Sequence, residues 1–318
     1  MALKGQILEL SNKRRLKKLH QILLTLPEFK SIHLVDIGAA GDIEPRWRSI
    51  SRFIKYLGFE PDSRSREELI NRNKECQDYK IAPIAVWDSN GTLTLQLCAK
   101  PEVSSYFPPN LEILKYFPDK ERFQYREELV IECATLDSLK IENPDFIKID
   151  IQGGELRALH GSTKTLEECF GVELEVEFLE LYKGQPLFGE IVNYLKLYNF
   201  QFLDFVNLCR WERDSQKGIG QLVFGDGLFL KTPESFIVSN NSISKISSYL
   251  ATLLIYERYD LITTAISLLN YESQKEFKAF SSKVAKLRKA FNRFNKVVWV
   301  LNLFVKSGNQ NRRLHLIH

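Results

Sequence analysis

Between Ile32 and Leu230 the chain alternates apolar runs of strand length with segments of helical length, and this alternation restricts its folds more than any other feature. The runs are Ile32–Ile37, Tyr56–Glu60, Ile81–Val86, Phe146–Ile151, Val172–Phe178, Phe200–Phe205 and Gly227–Leu230. Strands separated by helices pair through crossovers, so the pattern predicts an α/β fold with a doubly wound, mostly parallel sheet of seven strands. Between the third and fourth runs, Thr92–Leu97 follows the turn Ser89-Asn90-Gly91 and faces a second apolar run, Leu129–Ala134. These two predict an inserted hairpin holding a flexible lid loop, Pro101 to Pro109, at its base.

The periodicity changes outside this region and divides the chain into three expected parts. Residues 1–30 read as a helical segment ended by Pro27, residues 31–232 as the sheet domain, and residues 233–318 as a helical extension. Ser239–Ser248 reads as a linker into that extension. Phe277, Phe280, Val284, Leu287, Phe291, Phe294 and Val298 recur at steps of three and four, an apolar seam that packs on something: its own domain, a second copy as a homodimer, or an anionic membrane surface. Charge is concentrated here, because residues 275–318 carry eleven Lys/Arg against Glu276, a net +10, which leaves −6 for the rest of a chain whose total is +4. No apolar stretch approaches the roughly 18 residues of a membrane span. The basic Met1 end lacks the long apolar core of a signal peptide. Cys76, Cys98, Cys133, Cys169 and Cys209 form no CxxC pair, which fits reduced thiols and argues against a structural metal. The expected location is the cytoplasm, with peripheral attachment to the inner face of a membrane as the variant.

The chemistry concentrates where the runs end. Val35-Asp36-Ile37-Gly38-Ala39-Ala40-Gly41 closes the first, and a glycine there lets the main chain approach a nucleotide-like ligand. The second ends in Gly58-Phe59-Glu60-Pro61-Asp62, placing an acid 24 residues after Asp36, where it can accept hydrogen bonds from ribose hydroxyls. Asp42 makes the mouth of the first loop acidic, which repels a pyrophosphate but tolerates the amine and sulfonium of S-adenosylmethionine. The expected cofactor is therefore S-adenosyl-L-methionine, held by Asp36, Gly38, Ala39, Gly41, Glu60, Pro61, Asp62, Ala85, Asp150 and Gln152. At the third run Trp87 is a candidate to stack on the adenine and Asp88 to bond its exocyclic amine, although both also read as ordinary loop residues.

Asp150 and Gln152 end the fourth run, at the carboxyl edge where open α/β sheets bind ligands, and Asp150 there reads as orienting the methionine amine, as receiving the substrate proton, or as a cap on the following helix. Glu173, Glu175 and Glu177 place three carboxylates on one face of the fifth, a pattern that suits an exposed edge strand, with Glu173 and Glu177 salt-bridged or solvated. Methyl transfer to a hydroxyl needs a base for the departing proton, and Asp150 and Glu175 are the candidates, whereas His160 lies inside a helix and reads as structural.

Together these stretches resemble the FkbM family of S-adenosylmethionine-dependent methyltransferases. The resemblance runs through DIGAAG at 36–41, GFEPD at 58–62, Ser104-Ser105-Tyr106-Phe107-Pro108-Pro109-Asn110, Thr135-Leu136-Asp137-Ser138-Leu139, DFIKIDIQGGELRALHG at 145–161 and VELEVEFLELYKGQPLF at 172–188. It implies a Rossmann-like class I methyltransferase sheet, a cofactor held by Asp36, Gly38 and Glu60, and transfer to oxygen on sugars, glycans or natural products. The chain departs from the commonest family pattern with Gln152 in place of Glu, His160 in place of Lys, and Gly41 one position early. Two other readings compete. One is a nucleic-acid methyltransferase, suggested by Asn143-Pro144-Asp145-Phe146 and the basic tail but opposed by the acidic core. The other is a non-catalytic assembly partner working through the apolar seam; a nicotinamide oxidoreductase is more distant.

Overall fold

A computed structural model describes residues 16–41, 43–70, 75–213, 218–240 and 242–290. The chain divides into two compact units: residues 31–45 with 51–232, and residues 1–30 with 46–50 and 233–318.

The first unit is built on a seven-stranded sheet. Its strands are β1 (Ile32–Ile37), β2 (Ile54–Phe59), β3 (Asp78–Ala82), β7 (Phe146–Ile149), β8 (Gly171–Glu177), β9 (Phe200–Trp211) and β10 (Gln221–Lys231), in the order β3-β2-β1-β7-β8-β10-β9. The pairs from β3 through β8 are parallel, and β10 runs antiparallel to both β8 and β9. This is the α/β class predicted from the alternating runs, with seven strands in a mostly parallel sheet. One face is apolar: Val35, Ile37, Ile147, Ile149, Val172, Leu174 and Val176 are fully buried with Leu159, Leu166, Ile191 and Leu195 from the helices Glu155–His160, Thr163–Glu168 and Phe188–Lys196. Burying side chains of this size stabilises the fold by about 1.5–3 kcal/mol each.

The third predicted strand is two. Pro83, with no N–H for the ladder, breaks the run, so β3 stays in the main sheet while β4 (Ala85–Val86) pairs instead with β6 (Tyr125–Ala134). β5 (Gly91–Cys98) lies antiparallel to β6, the inserted hairpin expected from the Asn90-Gly91 turn, and β4-β6-β5 forms a second small sheet. The loop beyond β5 is not the free lid anticipated. Val103, Leu114 and Phe123 share a satellite core with Leu181, Tyr182 and Val223, and Asn110 N–H and Lys183 N–H tie this stretch to residues 179–185 through the Leu181 and Pro108 carbonyls.

β8 also differs from expectation. It is an interior strand between β7 and β10, and Glu173 and Glu177 are each only 2% exposed, so neither is solvated. The polar face of the sheet that carries them also holds Asp36 and Lys148, in register with Glu173 across β1, β7 and β8, and Asp226 of β10, which lies opposite Glu175. The alternation of acids marks a buried polar face, which the composition of one strand does not distinguish from a solvent face.

The second unit is helical, with helices over 16–23, Pro45–Arg48, Pro233–Ser239, Ile243–Ile255, Tyr259–Leu268, Tyr271–Glu276 and 278–290. The Ser-rich stretch read as a linker belongs largely to the helix Ile243–Ile255. Ser242 caps it by accepting from Lys245 N–H, and Ser247 and Ser248 are buried, Ser247 donating to the Pro27 carbonyl. Phe277, Phe280 and Val284 of the apolar seam are buried within this unit, while Phe291, Phe294 and Val298 lie outside the described residues. Among the described residues no helix is long and apolar enough to cross a membrane.

Candidate active site

The carboxyl ends of β1, β2 and β7 open into a cavity of about 700 Å³, closed on the other side by the small sheet. Its size falls within the roughly 300–1,000 Å³ of small-molecule sites. Gly38, Gly41, Glu60, Pro61, Asp62, Ala85, Asp150 and Gln152 line it, so eight of the residues expected around the cofactor meet in one place. Asp36 and Ala39 do not line it, and Asp42 lies outside the described residues.

Gly38 has φ +79°, and a Cβ at this position would stand 1.9 Å from the Asp150 carbonyl oxygen. Only glycine fits both the left-handed backbone and that approach. Gly38 and Ala39 donate their N–H groups to the Phe59 carbonyl, which brings the first loop against the end of β2 and beside Glu60. Glu60 is 5% exposed; its Oε1 accepts from Asp62 N–H at 2.8 Å, and burial pushes its carboxyl up to about 7. Asp62 caps the helix Ser63–Ile70 by accepting from Arg64 N–H and pairs with the Arg64 guanidinium. Burial acts to raise the Asp62 carboxyl, but these Arg64 interactions outweigh it and hold it below its ordinary value.

Asp36 has its own neighbours on the polar face. Its Oδ2 accepts from the Tyr56 hydroxyl at 2.7 Å, and its Oδ1, with no hydrogen bond, lies 3.7 Å from Lys148 Nζ. The same ammonium stands 3.8 Å from Asp150 Oδ2. Burial works against the charge on Lys148, yet Asp36, Asp150, Glu173 and Asp226 together raise its affinity for the proton. The sequence signal for Lys148 is its position, a lysine within an apolar strand two residues before Asp150.

Gln152 joins the two candidate bases. Its Nε2 donates to Asp150 Oδ1 and Glu175 Oε1, both at 3.0 Å; its Oε1 lies 3.1 Å from the Tyr182 hydroxyl, and its carbonyl accepts from Ser105 Oγ at 2.6 Å. Gln152 adopts φ +55°, a left-handed conformation that costs of order 1–3 kcal/mol in a non-glycine residue and is held here by those four bonds. Asp150 reaches the cavity, whereas Glu175 is screened from it behind Gln152, and burial followed by repulsion from Asp150 and Glu177 drives the Glu175 carboxyl well above its ordinary value. Glu155, not singled out from the sequence, closes the turn: its Oε1 accepts from Ile151 N–H and Gly153 N–H, and burial pushes it up to about 7.

At the third corner Trp87 lines the cavity with its ring 4.8 Å from that of Tyr106, but the Asp88 carboxylate is engaged by Arg157 at 2.9 Å and does not line the cavity. A Cβ on Gly161 would meet the Trp87 carbonyl at 1.8 Å, which accounts for the glycine ending the 145–161 motif. His160 is exposed and packs edge-on against Tyr194, away from the cavity. Asp137 caps the helix Thr163–Glu168, accepting from the N–H groups of Lys164 and Thr165. Among the described residues no cluster of His, Cys, Asp or Glu is arranged to hold a metal ion.

The chain is similar in structure to the FkbM methyltransferase of Methylobacillus flagellatus (15% identity, TM-score 0.37, covering 62% of this chain and 44% of that one). It is also similar to a Synechocystis magnesium protoporphyrin IX methyltransferase with bound S-adenosylmethionine (7%, 0.33, 67% and 79%) and to a human methyltransferase 10 domain containing protein (11%, 0.31, 69% and 81%). The match thus spans under half the length of the Methylobacillus chain. No curated protein matches the sequence. The model of the methyltransferase FkbM domain matches residues 36–202, from the end of β1 to the start of β9 and so across every strand end that forms the cavity. On that match over more than half its length, the chain belongs to the FkbM methyltransferase family.

Proposed function

We propose that this family member is an S-adenosylmethionine-dependent O-methyltransferase acting on a hydroxyl of a sugar, glycan or natural-product scaffold. The supporting observation is the meeting of the Gly38 main chain, the Glu60 carboxylate and Asp150 in a single cavity. When bound, S-adenosylmethionine supplies an electrophilic methyl group. The remaining work falls to side chains already in position. Gly38 admits the main chain to close contact with the ligand. Glu60, with one oxygen engaged by Asp62 N–H, offers the other to the ribose hydroxyls. Leu69, Val86 and Ile151 supply apolar lining for the adenine. Asp150, held by Gln152 and facing Lys148, accepts the proton of the acceptor hydroxyl. Glu175 acts through Gln152, as a positioning residue for Asp150.

Calorimetric titration of the full chain with S-adenosylmethionine tests this reading, and saturable binding at one site is expected. With labelled cofactor, Asp150→Asn should lower turnover by roughly 10²–10⁴-fold while changing cofactor affinity little. Absence of binding removes the proposal; equal losses in turnover and affinity reassign Asp150 to binding alone.

A further inference from the structure

The cavity has a second wall that the cofactor reading does not use. Leu93 and Leu95 of β5 and Ile131 of β6 face into it, since alternate residues of those strands share one face, and Tyr106 closes the end of this wall against Trp87. The opposite face of the hairpin is exposed, as at Thr94 and Val130. Of the charged side chains that line the cavity, Asp62 is paired with Arg64 and Asp150 stands 3.8 Å from Lys148, so the excess of acid comes from Glu60 and Glu102. A cleft lined mainly by one sign of charge repels ligands of that sign, and an apolar wall ending in an exposed aromatic ring favours a flat ring with an apolar face.

We propose that this wall is the acceptor subsite, and that it selects an uncharged six-membered ring laid against Leu93, Leu95, Ile131 and Tyr106, rejecting acceptors that carry phosphate. The inference rests on the methyltransferase reading of the same cavity. It excludes nucleic acids and sugar phosphates as preferred acceptors, and the ring is either a pyranose presenting its C–H face or an aryl group.

The test is binding to the full chain saturated with S-adenosylhomocysteine, measured by calorimetry with phenyl glucoside, methyl glucoside, phenol and a phosphorylated phenyl glucoside. The uncharged phenyl glucoside should bind at least ~10-fold more tightly than its phosphate ester. Methyl glucoside and phenol separate the pyranose from the aryl source. Tyr106→Ala should weaken phenyl glucoside binding by roughly tenfold without changing S-adenosylhomocysteine affinity, while Thr94→Asp, on the exposed face, should change neither. Equal or tighter binding of the phosphate ester, no effect of Tyr106→Ala, or binding of no uncharged ring while S-adenosylhomocysteine binds would each overturn the subsite and leave the methyltransferase reading standing. Failure of S-adenosylhomocysteine itself to bind overturns both.

Discussion

Glu60 is where a single side chain carries the most consequence. It is buried at the tip of β2, one oxygen engaged by Asp62 N–H, its proton affinity raised to about 7. In our reading a ribose donates to the ionised form, so cofactor affinity should fall as pH drops below about 7, and titrations across pH 6 to 8 measure that slope. Glu60→Ala should weaken cofactor binding by about 1–3 kcal/mol, because a pair of buried hydroxyls loses its acceptor; unchanged affinity would place the ribose elsewhere. This residue was legible from its spacing after DIGAAG, since a strand, a turn and a crossover helix carry the chain back to the same sheet edge. Lys148 and Glu155 are not legible in the same way. Their partners, Asp36 and Asp150 for one and the N–H groups of Ile151 and Gly153 for the other, are neighbours only once strand register and the left-handed turn at Gln152 are set.

At the scale of elements, the strands were readable because burial on a parallel sheet demands apolar runs, but their membership was not. Pro83 ends one strand and sends its continuation to another sheet, and a run of residues does not say which partner it will take. The Ser239–Ser248 stretch shows the same difficulty in a helix: its hydroxyls look solvated in sequence, yet small groups that cap or bond to main-chain carbonyls are easily buried. Asp137 is the opposite case, a motif residue whose work is structural. Asp137→Ala removes the acceptor for two N–H groups at the start of a helix and should cost about 0.5–2 kcal/mol in denaturant unfolding. Cofactor affinity measured on the same variant would show whether this part of the motif contributes to binding.

Across the whole molecule, the buried acids on the polar face and at the strand tips set the pH response. Glu60, Glu155 and Asp226 are pushed up to about 7 chiefly by burial, and Glu175 and Glu177 shift in the same direction. An acid with a raised value in the folded state binds its proton more tightly there than in the unfolded chain. Its contribution is therefore fully present below the ordinary value near 4 and is lost as pH rises through about 7. His33 and His160, each lowered mainly by burial, work the other way across the upper part of that window. The five raised acids outnumber these two histidines, so the ligand-free melting temperature should be higher near pH 5 than near pH 8, as calorimetric scans would show; the reverse would mean that these carboxyls are ionised at low pH through contacts with solvent. In the helical unit Phe280 is fully buried, and Phe280→Ala should destabilise it by about 3–5 kcal/mol in chemical denaturation.

Local order was enough to determine the fold class, the inserted hairpin and the strand tips that form the cavity. Each follows from a period, a glycine or an acid at a fixed distance along the chain, and crossover geometry converts that distance into a place. Only the tertiary structure decided which acids are buried, which of Asp150 and Glu175 reaches the cavity, and that an apolar wall from the small sheet faces the strand tips. Burial and pairing depend on what lies opposite a residue, and residues from remote parts of the chain supply it.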